Sequence, residues 1–385
     1  MIDYTILRKR YRDSFGHSGN TYFSPGRINL IGEHTDYNGG YVFPGAIDKG
    51  ITAEISPNGS SLVRLLALDI TDEPNYIEFE LEESQKPIAR WPNYIFGVCM
   101  ELKKRAIPVT GFDAAFTGNV PLGAGMSSSA ALECVFAFAL NQMFAKGKMD
   151  KLELAKVGQA AEHNYCNVKC GIMDQFTSLF GKEDCLILLD CRSLEYEYFT
   201  FNPQGYRLTL LDSKVKHALG SEYNDRRQSC ENAVYQIALR HKEIQTLRDV
   251  NYSMLNSVKD NLSPVDYRRA KYILDEKERV LAVRDALKKE DFVTVGKKMF
   301  ETHNGLSKEF EISCPELDFL VEKGRELGVT GSRMMGGGFG GCSINLVEET
   351  LYNRFISITT QEFYDKFGHK PETYDINIKD GTRQI

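Results

Sequence analysis

A run of glycine, serine and alanine at positions 119–132, NVPLGAGMSSSAAL, constrains this chain more than any other stretch. Gly123 and Gly125 let the backbone turn tightly and approach a ligand without Cβ interference. Ser127, Ser128 and Ser129 then open an apolar-periodic segment that continues through CVFAFALNQMF (134–144) and reads as a helix. The start of a helix offers unpaired N–H groups and the positive end of its dipole, which together suit a phosphate. A serine-capped helix after a glycine turn is the purely structural alternative, and it is common in any protein. Both readings stay open on this stretch alone.

Familiar nucleotide motifs are missing. No G-x-x-x-x-G-K-[ST] occurs, which excludes a P-loop enzyme. Gly123-x-Gly125-x-x-Ser128 lacks the third glycine of the dinucleotide fingerprint. A second glycine run, GGGFGG (336–341), precedes the strand pattern SINLV, so it is either a tight hairpin or a backbone nest for an anion.

A length of 385 residues exceeds what one core usually serves, so two domains are expected. The NPQG turn at 202–205 marks the boundary, giving domains of 1–203 and 204–385. Short strand patterns fill the first half: two strands around a turn over 41–56, an alternating 76–81 with Ile77, Phe79 and Leu81 on one face, and the buried strand CLILLD (185–190). A helix is expected over 151–165, leading into a polar loop at 167–175. RLTLLD (207–212) opens a second half richer in charged helices, including 226–241 and 266–289. The rhythm of a doubly wound parallel sheet is absent, so the fold class is α+β.

Composition narrows the function classes. A net charge of −6 without a basic stripe gives no attraction for nucleic acid. The apolar run 134–144 is too short to span a bilayer, and the charged N-terminus MIDYTILRKRYRDSFG has no signal-peptide core. Nine cysteines, an odd number, with Cys99, Cys134 and Cys185 inside apolar runs, fit a cytoplasmic protein. Cys166 and Cys170 stand four apart, but no second Cys/His pair follows at zinc-site spacing.

Two polar clusters are not explained by folding. In PGRINLIGEHTDYNG (25–39), Arg27, Glu33, His34 and Asp36 lie within ten positions, around a short apolar run, Ile28–Ile31, that presents them at one edge. Such a density of donors and acceptors suits a polyol, although charged loops are most often simply solvated. In GIMDQF (171–176), Asp174 sits between apolar residues, where burial or a nearby cation can tune it for base work; a satisfied structural carboxylate is the commoner case.

Together these segments resemble the galactokinase branch of the GHMP small-molecule kinases. SPGRINLIGEHTDYNGGYVFPGAID (24–48) is similar to that family's first motif and sugar signature, PLGAGMSSSAALE (121–133) to its phosphate loop, and GSRMMGGGFGGC (331–342) to its third motif. AEHNYCNVKCGIMDQF (161–176), HALGSEYNDRR (217–227) and ISCPELDFLV (312–321) also resemble segments of these enzymes, in the same order along nearly the whole chain.

The resemblance implies two α+β domains with an active site in the cleft between them, and ATP-dependent phosphorylation of the anomeric hydroxyl of galactose. By position, Asp174 is implied as the base and Arg27 as its catalytic partner. Glu33, His34, Asp36, Gly171 and Tyr223 are implied as sugar contacts. Trp91 and the stretch Pro121, Leu122, Gly123, Ala124, Gly125, Met126, Ser127, Ser128 and Ser129 are implied for ATP. Ser129 and Glu162 correspond to Mg²⁺ positions. The chain departs from the family pattern at Met335, Ser24 and Gly45, none of them an implied catalytic group. A monomer acting on galactose and ATP is expected. A kinase for N-acetylgalactosamine or arabinose, and a catalytically silent sugar and ATP sensor, are the alternatives; the intact SSSAA and Asp174 speak against the sensor.

Overall fold

The computed structural model describes residues 4–71, 73–82, 84, 91–121, 123–216 and 220–385. Leu122 and His217–Leu219 of the segments above therefore lie outside the described residues. The fold is α+β, as the strand and helix patterning implies.

The first half begins with α1 (Tyr4–Phe15), β1 (Asn20–Asn29), β2 (Tyr41–Val42), β3 (Pro44–Pro57), β4 (Leu62–Ala67) and β5 (Tyr76–Glu80). It continues with α2 (Pro92–Lys104), β6 (Phe112–Gly118), α3 (Ser128–Ala145), α4 (Lys151–Ala161), α5 (Met173–Phe180), β7 (Cys185–Asp190) and β8 (Tyr196–Thr200). The second half contains β9 (Tyr206–Asp212), α6 (Gly220–Ala238), α7 (Tyr252–Ser257), α8 (Pro264–Leu287), α9 (Phe292–Lys308) and α10 (Pro315–Leu327). It closes with β10 (Gly331–Met334), β11 (Cys342–Glu348), α11 (Glu349–Phe367), β12 (Glu372–Asp375) and β13 (Arg383–Gln384).

Among the described residues the strands form three sheets, ordered β13-β1-β3-β6-β4-β5, β10-β11-β9-β12 and β2-β7-β8. All neighbours are antiparallel except β4 and β6. Where the sequence suggests two strands around a turn, Pro44–Pro57 runs as one strand of 14 residues and only Tyr41–Val42 separates from it. The glycines there serve close approach instead of a turn. A Cβ on Gly45 would come within 2.7 Å of Leu186 Cδ2, and one on Gly50 would overlap the Ser24 carbonyl. Proline at the first strand position forfeits no ladder hydrogen bond.

The β1–β3 register shifts between Pro25 and Arg27. Such a bulge re-aims side chains, and here it sets the strand against the 121–129 loop. Arg27 N–H donates to Met126 O at 3.1 Å, and a Cβ on Gly26 would lie 2.5 Å from that oxygen.

α3 is apolar around most of its circumference, so it is a core helix. Ala131, Val135, Phe136, Ala139 and Leu140 are buried with residues of β3, β6, α2, α4 and α5. Full burial stabilises by about 1.5–3 kcal/mol for a side chain such as Phe136 or Leu140. That packing fixes where the helix begins, at Ser128. A second core joins Ile28, Leu30 and Ile31 of the first half to Val280, Met299, Met335 and Ile344 of the second. The chain finally returns to the first sheet, where β13 pairs with β1 at Tyr22↔Gln384 and Phe23↔Arg383.

Candidate active site

A cleft of about 330 Å³ opens where the start of α3, the start of α5, the turn after β1 and the loop between β10 and β11 converge. It contains Arg27, Glu33, His34, Asp36, Gly171, Asp174 and Tyr223 along with Pro121, Gly123, Gly125, Met126, Ser127, Ser128, Ser129 and Glu162. Arg27 and Asp174, 147 positions apart in sequence, thus share one surface, as they must if one ligand is to touch both polar clusters.

Arg27 and Asp174 form a fork. Arg27 Nε donates to Asp174 Oδ1 at 2.8 Å and Nη2 to Oδ2 at 3.0 Å, the bidentate geometry that a planar guanidinium favours. Arg27 Nη1 donates to Gly125 O at 2.5 Å. Burial alone would weaken the Arg27 proton, but Asp174 and Glu33 outweigh it and the guanidinium is held above its ordinary pKa. Ser127 takes φ 59° as N-cap of α3 and makes no side-chain cap bond. Its hydroxyl donates instead to Asp174 Oδ2 at 2.5 Å. The first-turn N–H groups of α3 have no partner within the helix, which leaves them facing the cleft for a ligand.

The sugar-signature residues differ in their freedom to bind. Glu33 Oε1 accepts from Arg333 Nη2 at 3.0 Å and from Gly336 N–H at 2.9 Å. Burial opposes its ionisation, yet Arg333, Arg27 and the Gly336 N–H hold its pKa below the usual range. His34 Nε2 donates to Gly337 O at 3.3 Å, and Nδ1 accepts from the Tyr37 hydroxyl at 2.8 Å. Both nitrogens are therefore engaged, and the ring packs between Tyr223 and Phe310, each 5.0 Å away. Burial lowers its pKa to about 4, so the imidazole is neutral. Asp36 is raised to about 7, first by burial and then by the neighbouring Asp174. A Cβ at Gly171 would overlap the Asp36 carboxylate, which explains glycine there.

Glu162 lies in a π turn, Glu162–Cys166, that continues α4 where a plain helix is expected to 165. π turns frequently mark functional sites. Its carboxyl is buried and raised in pKa, first by that burial; Cys170, Ser129 and Gln175 hydrogen-bond it and Asp174 opposes its charge. No cation contributes among its leading neighbours. A buried carboxyl beside a hydroxyl and facing a second carboxylate is a fit place for a divalent cation. Groups of three or more metal-ligating side chains are absent among the described residues.

Trp91 and Ala124 do not line the cleft. Trp91 packs on Phe116 at 5.4 Å, its N–H donates to Pro74 O at 3.1 Å, and Ala124 is buried in the core that joins the halves. Sequence reasoning misses Arg333, and it places Ser127 with the nucleotide alone. An arginine inside a strand pattern, three residues before a glycine run, is the available signal for the first. Tyr94 and the glycines 336–338 and 340 also line the cleft. The 336–341 run is the hairpin connection between β10 and β11, and its glycines 336–338 and 340 form a wall of the cleft.

Residues 9–57 match the model of the galactokinase galactose-binding signature, 93–182 the GHMP kinases N-terminal domain, and 283–356 the GHMP kinases C-terminal domain. A galactokinase of Clostridium acetobutylicum is 39% identical over 99% of this chain and 98% of its own length. This chain belongs to the galactokinase family. A Thermotoga neapolitana galactokinase is 40% identical over 94% of this chain and 99% of its own. The galactokinase of Lactococcus lactis, solved with galactose, superposes with a TM-score of 0.94 at 32% identity, covering 99% of this chain and all, 100%, of the other. The mevalonate kinase of Methanococcus jannaschii, at 19% identity and TM-score 0.64, shares the fold. In this galactokinase-family chain no helix among the described residues is long and apolar enough to cross a membrane.

Proposed function

We propose that this chain phosphorylates the anomeric hydroxyl of D-galactose with ATP, giving galactose 1-phosphate and ADP. The observation that carries the proposal is the Arg27–Asp174–Ser127 cluster, set at the open N-terminus of α3 and a short distance from Asp36 and Gly171. Phosphoryl transfer asks a protein chiefly for positioning and charge stabilisation. Backbone N–H groups at the start of α3 and the glycine walls at 123–125 and 336–338 hold the phosphates. Asp36 and Tyr223 read the sugar hydroxyls, Glu33 offers Oε2, and His34 shapes the wall with its ring. Asp174 accepts the proton of the 1-hydroxyl as that oxygen bonds to the γ-phosphorus and ADP leaves. Arg27 holds Asp174 in place, and its charge faces the moving phosphoryl group.

Ser129 and Glu162 are the residues that fit Mg²⁺, which when bound neutralises phosphate charge. A monomer is the assembly we take for it, and nine free thiols support a cytoplasmic location. We take residues 1–203 and 204–385 as the two domains, with the last strand returned to the first. An assay of ATP consumption across galactose, glucose, arabinose, mevalonate and N-acetylgalactosamine tests the substrate. Galactose is expected to lead; equal kcat/KM for galactose and glucose contradicts the assignment.

A further inference from the structure

Arg333 is completely buried and does not itself line the cleft, yet its guanidinium is fully committed. Nε donates to Leu30 O at 2.9 Å, Nη1 to Met334 O at 2.7 Å, and Nη2 to Asn29 O as well as to Glu33 Oε1 at 3.0 Å. Three of these four acceptors belong to the first half of the chain, whereas Arg333 stands on β10 in the second. The same Glu33 oxygen accepts from Gly336 N–H. Gly336, at φ 84°, rests backbone to backbone on the phosphate loop: a Cβ there would lie 3.0 Å from Gly125 Cα, and one on Gly125 would lie 2.9 Å from Met335 O. Gly125 O in turn accepts from Arg27.

Other bonds hold the same turn from the same side. Glu276 Oε1 accepts from Gly32 N–H at 2.8 Å, and the Tyr272 hydroxyl donates to Glu33 O at 3.2 Å. The sugar loop is thus carried by first-half sequence and gripped by second-half side chains, with one carboxylate common to the sugar side and the phosphate side.

We infer that Arg333 is a positioning residue that locks residues 29–34 to the glycine run 336–338, so that sugar and nucleotide raise each other's affinity through Glu33. This rests on the sugar-kinase reading above. Nucleotide seated on the Gly125–Gly336 contact fixes Gly336, which fixes Glu33 Oε1 and therefore the oxygen left for the sugar. Reciprocity is required, because coupling between two bound ligands is a single free energy. Lysine cannot take the place of arginine, since one ammonium cannot reach four acceptors held in a planar fork.

Titration calorimetry on the full chain tests this, with galactose binding measured in the presence and absence of Mg²⁺ and a non-hydrolysable ATP analogue. In the wild type the analogue should tighten galactose by a factor within the usual span of about 5–150-fold. In Arg333→Lys that factor should fall to about one while the analogue alone binds much as before. A merely structural arginine would weaken both ligands and leave the factor intact. A wild-type factor of one, or an unchanged factor in the variant, overturns the inference. If Arg333→Lys fails to fold, Glu33→Gln takes its place, with the same loss expected and retention again contradictory.

Hydrogen exchange supplies an arm that needs no sugar. The analogue alone should slow exchange of the amides at 30–36 in the wild type but not in Arg333→Lys; equal behaviour of the two proteins counts against the inference. Failure of galactose to bind would thus strike the substrate reading while leaving the role of Arg333 decided by exchange.

Discussion

Asp174 and Asp36 carry the same functional group and are placed for different work. Asp174 is held by an arginine fork and a serine hydroxyl, and it keeps 27% of its side-chain surface open to the cleft. Asp36 has no arginine fork of its own and faces Asp174. General-base assistance is worth about 10²–10⁴-fold, so Asp174→Asn should lose roughly that much kcat while galactose affinity and circular dichroism stay near wild type. Near-wild-type turnover in the folded variant removes Asp174 from the chemical step. Asp36 gives a stability test with a definite sign. Its carboxyl is raised from 3.8 to about 7, so the unfolded chain releases this proton near pH 4 and the native chain only near pH 7. Across that window the unfolded state holds fewer protons, and the group's contribution to stability declines as pH rises. Asp36→Asn should therefore gain melting temperature at pH 8, lose that gain towards pH 4, and bind galactose poorly. A lower melting temperature at pH 8 than at pH 4, relative to wild type, contradicts this environment for Asp36.

At the scale of elements, the site is a set of termini and turns supported by a buried helix. Gly125 has φ 74° and meets Met335 O, whereas Gly59 has φ 73° and open space where a methyl group would go, with nothing within 4 Å. Gly59→Ala should cost only left-handed strain, about 1–2 kcal/mol, with kcat and both KM values unchanged. Gly125→Ala adds a backbone clash in the phosphate loop and should raise the KM for ATP by an order of magnitude or more, about 1.4 kcal/mol per tenfold. Equal kinetics in the two variants would remove Gly125 from the nucleotide wall.

Much of this level is legible in the sequence because local pattern decides it. α3 starts at Ser128 as its serine cluster implies, and CLILLD is the buried strand β7. Other elements depart from the sequence expectation where tertiary contact overrides local signal. The glycines at 45 and 50 look like turn residues, yet they admit Leu186 and the β1 backbone to a continuous strand. α6 begins at Gly220, ahead of the expected 226, because its first turns are polar and show no apolar stripe. The role of Arg333 is hidden for a related reason. Its partners Asn29, Leu30 and Glu33 are some 300 positions away, and no local pattern encodes such a pairing.

Over the whole molecule, two halves meet along a shared core while their loops build one cleft. Ile28, Leu30 and Ile31 of the first half pack with Val280, Met299 and Ile344 of the second, so the halves are joined by apolar contact beneath the site. The terminal strand reinforces that union: Thr382 is buried, its hydroxyl meets Ser24 Oγ at 2.8 Å, and its N–H donates to Ser178 O at 2.8 Å. A cleft assembled in this way presents Asp174 beside the phosphate loop and the sugar loop opposite, and the proposed function requires that the anomeric oxygen be the one that meets the transferring phosphorus. The position of the phosphate on the product tests that arrangement most directly. Phosphorus NMR of the reaction with galactose, ATP and Mg²⁺ should show one sugar phosphate whose signal is split by the anomeric proton. Phosphate at C6, or release of inorganic phosphate without a sugar phosphate, would contradict it.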